Sequence, residues 1–173
     1  MKSLIVVLLL LASDTASACS ATGMFGIPFG SKPKRGDRKI EGNDATTWFT
    51  TTPPEPDPRF HEYRIRVDAK TKEIIEVVAI RTITRKPGRS EPPLPVEQRE
   101  AGKARALAFA LEYLESLPAE TRAKLVDKHG INDWQGQPVE GYNFNVMALA
   151  AWDVQVSCID IQREWVVARR VLK

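Results

Sequence analysis

The chain has 173 residues, enough for one domain of ordinary size plus a tail, and its apolar fraction of 43% and charged fraction of 27% are those of a globular protein. Its 25 basic and 22 acidic residues leave a formal charge of +3, with a pI near 8.9. So slight a balance gives no ground for a nucleic-acid partner; no internal repeat shows, and no segment past the first dozen residues is apolar enough to span a bilayer.

Residues 1–18 read as an export signal: Lys2, an apolar core from Leu4 to Ala12, and a short polar section ending Ala16-Ser17-Ala18. Small residues at the last and third-last places suit a signal peptidase, and the apolar run is too short for a membrane span. The next residue is Cys19, and Ala16-Ser17-Ala18-Cys19 resembles a bacterial lipobox, which would imply membrane attachment through a lipidated Cys19. That family usually has a larger aliphatic where Ala16 stands, and Asp14 falls in a stretch that normally carries no charge. Either reading places the domain outside the cytoplasm, periplasmic or secreted in one case and lipid-anchored in the other.

The second cysteine is Cys158. In an oxidising compartment two cysteines often pair, and a Cys19–Cys158 bridge would be worth about 4 to 5 kcal/mol on the chain-entropy account. A lipidated Cys19 would leave Cys158 a lone thiol buried as a small hydrophobe. The two outcomes exclude each other, and both stay open at this point.

Residues 19–58 are rich in Gly, Ser and Pro and hold Lys32, Lys34, Arg35, Arg38 and Lys39, a composition that predicts a flexible arm. Such an arm is a solvated spacer or a contact for anionic lipid or cell-wall polymer. Met24, Phe25, Ile27 and Phe29 stand out, since four large apolar residues usually dock somewhere. Residues 46–52, around Trp48 and Phe49, suit a short strand, and the prolines at 53, 54, 56 and 58 hold the chain extended before a single domain over residues 59–173.

Residues 60–84 predict a hairpin. Tyr63, Ile65 and Val67 alternate with Arg64, Arg66 and Asp68, and the second run, apolar on both faces around Ile74 to Val78, predicts a more central strand. Residues 63–77 resemble the hairpin of PepSY domains, small extracytoplasmic modules linked to peptidase regulation. The resemblance covers less than a tenth of the chain and implies a hairpin only. That family usually has Gly where Lys72 stands and a helix where this chain has its proline-rich residues 51–58.

Residues 86–95 form a loop, and residues 96–117 turn helical, with Ala104, Leu107, Ala108, Leu111 and Leu114 as a stripe that Phe109, Ala110 and Tyr113 widen. A second, shorter helix is expected from Pro118, capped by Ser116, with Leu125, Val126 and His129 on one face and Gly130 as its stop.

The longest regular pattern spans residues 142–158, where Tyr142, Phe144, Val146, Ala148, Ala150, Trp152, Val154, Val156 and Cys158 fall on every second position. The run is too long for one strand of usual length, so a bend, a bulge or a short helical turn is expected near residues 147–151. A second apolar run from Trp165 to Leu172 reads as its antiparallel partner, joined near Arg163. The fold expected is therefore α+β: an antiparallel sheet of two hairpin-like pairs, from residues 60–84 and 142–172, covered on one face by two helices from residues 96–130 and preceded by the arm.

No pattern assigns a catalytic, metal or cofactor residue. His61 and His129 lie in different elements, and Glu97 with Glu100, or Glu112 with Glu115, sit where solvated helix charge is the default. The loop of residues 131–141 is the most suggestive binding surface: Trp134 and Asp133, with Tyr142 just beyond, combine aromatic area with hydrogen-bonding groups. The opposing account makes Trp134 a lid on the core. The reading is an exported bacterial envelope protein that binds a protein or cell-envelope polymer, without nucleic acid, as an inhibitor, immunity or assembly factor. The rivals are an extracytoplasmic hydrolase and a lipid-anchored structural component.

Overall fold

The computed structural model describes residues 19–127, 133–136 and 141–172. The leader, His129 and the stop at Gly130 lie outside them. In chain order the strands are β1 (Gly23–Met24), β2 (Ile27–Pro28), β3 (Arg38–Gly42), β4 (Thr46–Thr50), β5 (Glu62–Asp68) and β6 (Ile74–Thr82), followed by the helices α1 (Val96–Ser116) and α2 (Ala119–Ala123). Then come β7 (Leu125–Asp127), β8 (Asp133–Gly136), β9 (Tyr142–Leu149), β10 (Asp153–Asp160) and helix α3 (Ile161–Val171). The fold is α+β. One antiparallel sheet runs in the order β3-β4-β5-β6-β10-β9-β8-β7, and β1 and β2 form a separate two-stranded ribbon.

The expected hairpin is β5–β6. Its first strand buries Tyr63, Ile65 and Val67 and turns Arg64 and Arg66 to the other face; its second is buried from Ile74 to Ile80 and lies mid-sheet beside β10. The long alternating run is itself a hairpin, β9–β10, turning through Ala150 to Trp152 with Ala150 at φ 52°. Register places Val154 opposite Ala148, Val156 opposite Val146 and Cys158 opposite Phe144, then Val156 opposite Ala79 and Cys158 opposite Val77. Directly opposed side chains share a face, so these residues make one apolar surface, which we call the core face.

Two elements cover the core face. One is α1, whose buried residues are Gly102, Ala106, Ala110, Tyr113 and Leu114. The stripe read from sequence is rotated: Ala104, Ala108 and Leu111 are exposed, because the small side chains at 102, 106 and 110 allow the closer approach to the sheet. A Cβ on Gly102 would stand 2.9 Å from Cβ of Ala151 and 3.0 Å from its carbonyl oxygen.

The second cover is the segment expected to be a flexible arm. Residues 19–58 are instead built into the domain: Met24, Phe25 and Ile27 are buried in the core, and β3 and β4 extend the sheet beyond β5. Composition argues against order only while the apolar residues lack a surface, and here the sheet supplies one. Edge-to-face rings fasten the two covers together through Phe60, which meets Phe25 at 6.1 Å, Tyr113 at 5.3 Å and Phe109 at 5.9 Å, while Phe25 also meets Tyr63 of β5 at 5.2 Å.

Three further expectations are corrected. Residues 165–171 are not a strand but belong to α3, with Leu172 as its C-cap, and α3 begins where the Asp160 carboxylate accepts the Arg163 backbone N–H, a cap that turns the chain out of β10. Of the cover expected from residues 96–130, α1 is the part that packs on the core face, and α3 meets Arg66, which alternates with the core-facing Ile65 and Val67 and so stands on the opposite face. The helix expected past Pro118 lasts five residues with none buried, its Ser116 cap is not formed, and Leu125 and Val126 lie in β7. The β3 edge is bulged between Lys39 and Glu41, and all five of its residues are exposed.

Candidate functional site

Cys19 and Cys158 are bonded to each other, with Cα atoms 5.5 Å apart across a sequence separation of 139. Both are buried, at 3% and 0% exposure. β10 presents Cys158 on the core face, and the turn at Ser20 to Gly23 brings Cys19 down onto it. The bridge therefore joins the first described residue to one of the two central strands.

The remaining residues singled out from sequence do not form one patch. Trp134 is opposite Val146 in the β8–β9 register, on the core face, where it is half-buried against the core; Tyr142, four residues along β9, is packed the same way. This is the position of a lid on the core. Asp133 is opposite Met147 and so belongs to the other face of the sheet. Arg163, where the last two apolar runs were expected to join, is instead engaged in ion pairs. His61 is exposed, with Nε2 3.2 Å from the Thr82 hydroxyl. Glu100 pairs with Lys103 on the surface of α1.

Sequence reasoning missed a charged cluster on the face opposite the core. Arg66 donates from Nε to Glu76 at 2.7 Å, reaches Glu164 of α3 from Nη2 at 2.6 Å, and lies over the Trp48 ring at 5.8 Å. Glu76 is 9% exposed. Burial pushes its carboxyl above the usual carboxylate range, the Arg66 charge and hydrogen bond act against that, and Glu164 adds to it. A signal was present in the sequence, because Glu76 is the acid inside an otherwise apolar strand and the hairpin register sets it opposite Arg66.

Two more pairs fasten α3. Arg163 binds Glu73 and also Asp160, and Arg170 binds Asp68. Burial alone would raise Asp68, but hydrogen bonds from Arg170 and from the Lys70 and Thr71 N–H groups, with the Arg170 charge, hold it below the usual range. Between these groups opens a cleft of about 280 Å³, lined by Asp68, Glu73, Ile75, Asp160, Arg163 and Val166 among others. Its charged walls are already paired.

A third cluster lies beneath α1. Asp57 accepts from Arg59 Nε at 3.0 Å and from Nη2 at 2.6 Å, while Arg59 Nη1 reaches the Ser116 hydroxyl at 2.6 Å and its guanidinium lies 4.6 Å from the Tyr113 ring centre. Burial raises Asp57, and the Arg59 bonds and charge outweigh it and hold the carboxyl low. Burial raises the Tyr113 phenol. These contacts tie the proline-rich segment to the helix. In comparisons with known proteins, the chain matches no family model, no curated protein and no solved structure.

Proposed function

We propose that this is an exported envelope protein whose working form begins at Cys19, is stapled by the Cys19–Cys158 bridge, and acts by binding a protein or cell-envelope polymer rather than by catalysis. The observation that carries the reading is the place of the bridge. Cys19 directly follows Ala16-Ser17-Ala18 and is bonded in the core to the chain's other cysteine. A buried disulfide closing so long a loop belongs to an oxidising compartment. A sulfur bonded to Cys158 also has no valence for a lipid thioether, which favours release over anchoring.

The charged groups support a non-catalytic role. Glu76, the carboxyl that burial raises, is enclosed by Arg66 and α3, and Asp57 and Asp68 are held ionised by arginines. A general acid needs reach to a substrate proton, and Glu76 faces its own ion pairs.

The test is the intact mass of the protein recovered from its native cells, by fraction, before and after reduction and alkylation. The expected product starts at Cys19, carries no acyl chain, and takes up two alkyl groups only after reduction. A product that retains Met1, or one acylated at Cys19, would overturn the reading.

A further inference from the structure

α3 turns the wrong side to the sheet for an ordinary amphipathic helix. Ile161, Trp165, Ala168 and Leu172 recur at steps of four, three and four and make one apolar stripe. Yet the residue that α3 buries is Val167, and Trp165 is 60% exposed and Leu172 88%, with Val166 and Val171 exposed elsewhere on the helix. Instead of that stripe, ion pairs hold the helix down: Arg66 with Glu164, Arg163 with Glu73 and Arg170 with Asp68.

The surroundings of α3 are cationic. Arg169 is exposed on the helix. Lys70 and Lys72, both exposed, belong to the β5–β6 turn, which Asp68 and Glu73 fasten to α3. Gly30, at φ +75°, packs against the Arg163 guanidinium, and exposed Lys32 follows within about 7 Å of chain. Lys34 and Arg35 continue the run. The acids of this region, Asp68, Glu73, Asp160 and Glu164, are each bonded to an arginine.

We propose that α3, with the β5–β6 turn and the basic run after Gly30, is a docking face for an anionic lipid surface. A tryptophan and aliphatic stripe rimmed by lysine and arginine is the chemistry of a helix lying in the headgroup plane, where the indole takes the boundary between wet and apolar regions. The ion pairs give that helix a fixed pose on the sheet. Among the described residues no helix is long and apolar enough to cross a membrane, and the contact is one of lying on it. The inference goes beyond the reading above and does not depend on where the chain works.

The experiment uses the chain from Cys19 to Lys173 with its bridge intact, sedimented with phosphatidylcholine vesicles and with vesicles in which a quarter of the lipid is phosphatidylglycerol. Binding is expected to the anionic vesicles, to weaken as salt is raised, and to shift the Trp165 emission, read as the difference from Trp165→Phe, to the blue. Trp165→Ser with Leu172→Ser lowers partitioning about tenfold or more, because it removes the inserted area, while circular dichroism and Tm stay as in the parent. Arg169→Gln lowers it about fivefold, the worth of one cation at such a surface. Equal binding to both vesicle types, or full binding by the double variant, would sink the proposal. So would a Trp165-dependent dimer, or Trp165-dependent capture of a protein by a chain that ignores vesicles.

Discussion

Arg66 on β5 and Glu164 on α3, 98 residues apart, meet at two points, Nη2 to Oε2 at 2.6 Å and Nη1 to Oε1 at 3.1 Å. The same guanidinium neutralises Glu76 beneath it, so one side chain both docks the helix and makes a buried acid tolerable.

Removing that arginine should be more damaging than removing the acid. Arg66→Met leaves Glu76 buried without its partner and is expected to lose about 3 to 5 kcal/mol in urea unfolding. Glu76→Gln is expected to be neutral or stabilising at neutral pH. A carboxyl whose folded pKa lies above its unfolded value binds protons more tightly when folded, so its contribution declines as pH rises from the unfolded value through the raised one. Melting the parent and Glu76→Gln across pH 4 to 8 should show the variant gaining on the parent toward the alkaline end.

Asp57 has the opposite sign. Its folded pKa is depressed, so its stabilisation is present above the ordinary value of 3.8 and is lost as pH falls through the depressed one. Asp57→Asn should lose about 2 kcal/mol at neutral pH, with Arg59 left against Tyr113 without its carboxylate. The gap between parent and variant should close in acid, which thermal melts at pH 7 and pH 2 would show.

Cys19→Ser with Cys158→Ser releases a loop of 139 residues, and the chain-entropy relation puts the loss at about 5 kcal/mol. Reduction of the parent should bring it to the same denaturation midpoint. Residues 23–27 should then lose hydrogen-exchange protection ahead of β6 and β10, since without the bridge only their side-chain packing and a few loop hydrogen bonds hold them to the domain.

Lys72 occupies the left-handed region at φ 63°, the position where hairpins of the PepSY type usually have glycine. Lys72→Gly removes Cβ strain of about 1 to 2 kcal/mol against the added unfolded-state freedom of glycine, for a net gain of about 0.5 kcal/mol. A small rise in Tm would show it. Gly102 predicts the reverse. A methyl there would press on Ala151 and the Thr84 hydroxyl, so Gly102→Ala should lose about 1 to 2 kcal/mol despite better helix propensity.

The β5–β6 hairpin was legible because arginines and apolar residues alternate and the turn residues are polar. At β9–β10 the length of the run made a break near residues 147–151 legible, but not that the chain reverses there. The hairpin register pairs Leu149 with Asp153, so even-numbered residues face the core on both strands, and the alternation runs through the turn unbroken. No glycine, proline or asparagine marks residues 150–152. α3 was misread because Val166, Val167 and Val171 favour strands, whereas the cap at Asp160 and ion pairs to residues a hundred positions away decide for helix. The order of residues 19–30 depends on Cys158 and the core face, which local composition does not register. The Arg66 cluster was half visible, since register alone sets Arg66 against Glu76, but Glu164 reaches it only through α3.

At the far side of the sheet from β7, the strand Arg38–Gly42 has, among the described residues, a neighbouring strand on one flank only. Its bulge at Ile40 breaks the even spacing of free amides, and Arg38, Lys39 and Glu41 set charge along the rim. A second copy laid there would have to match a kinked ladder and desolvate charged side chains along the rim. The consequence is a rim that is a poor template for strand addition, because its bulge and its charges both work against a continuous ladder.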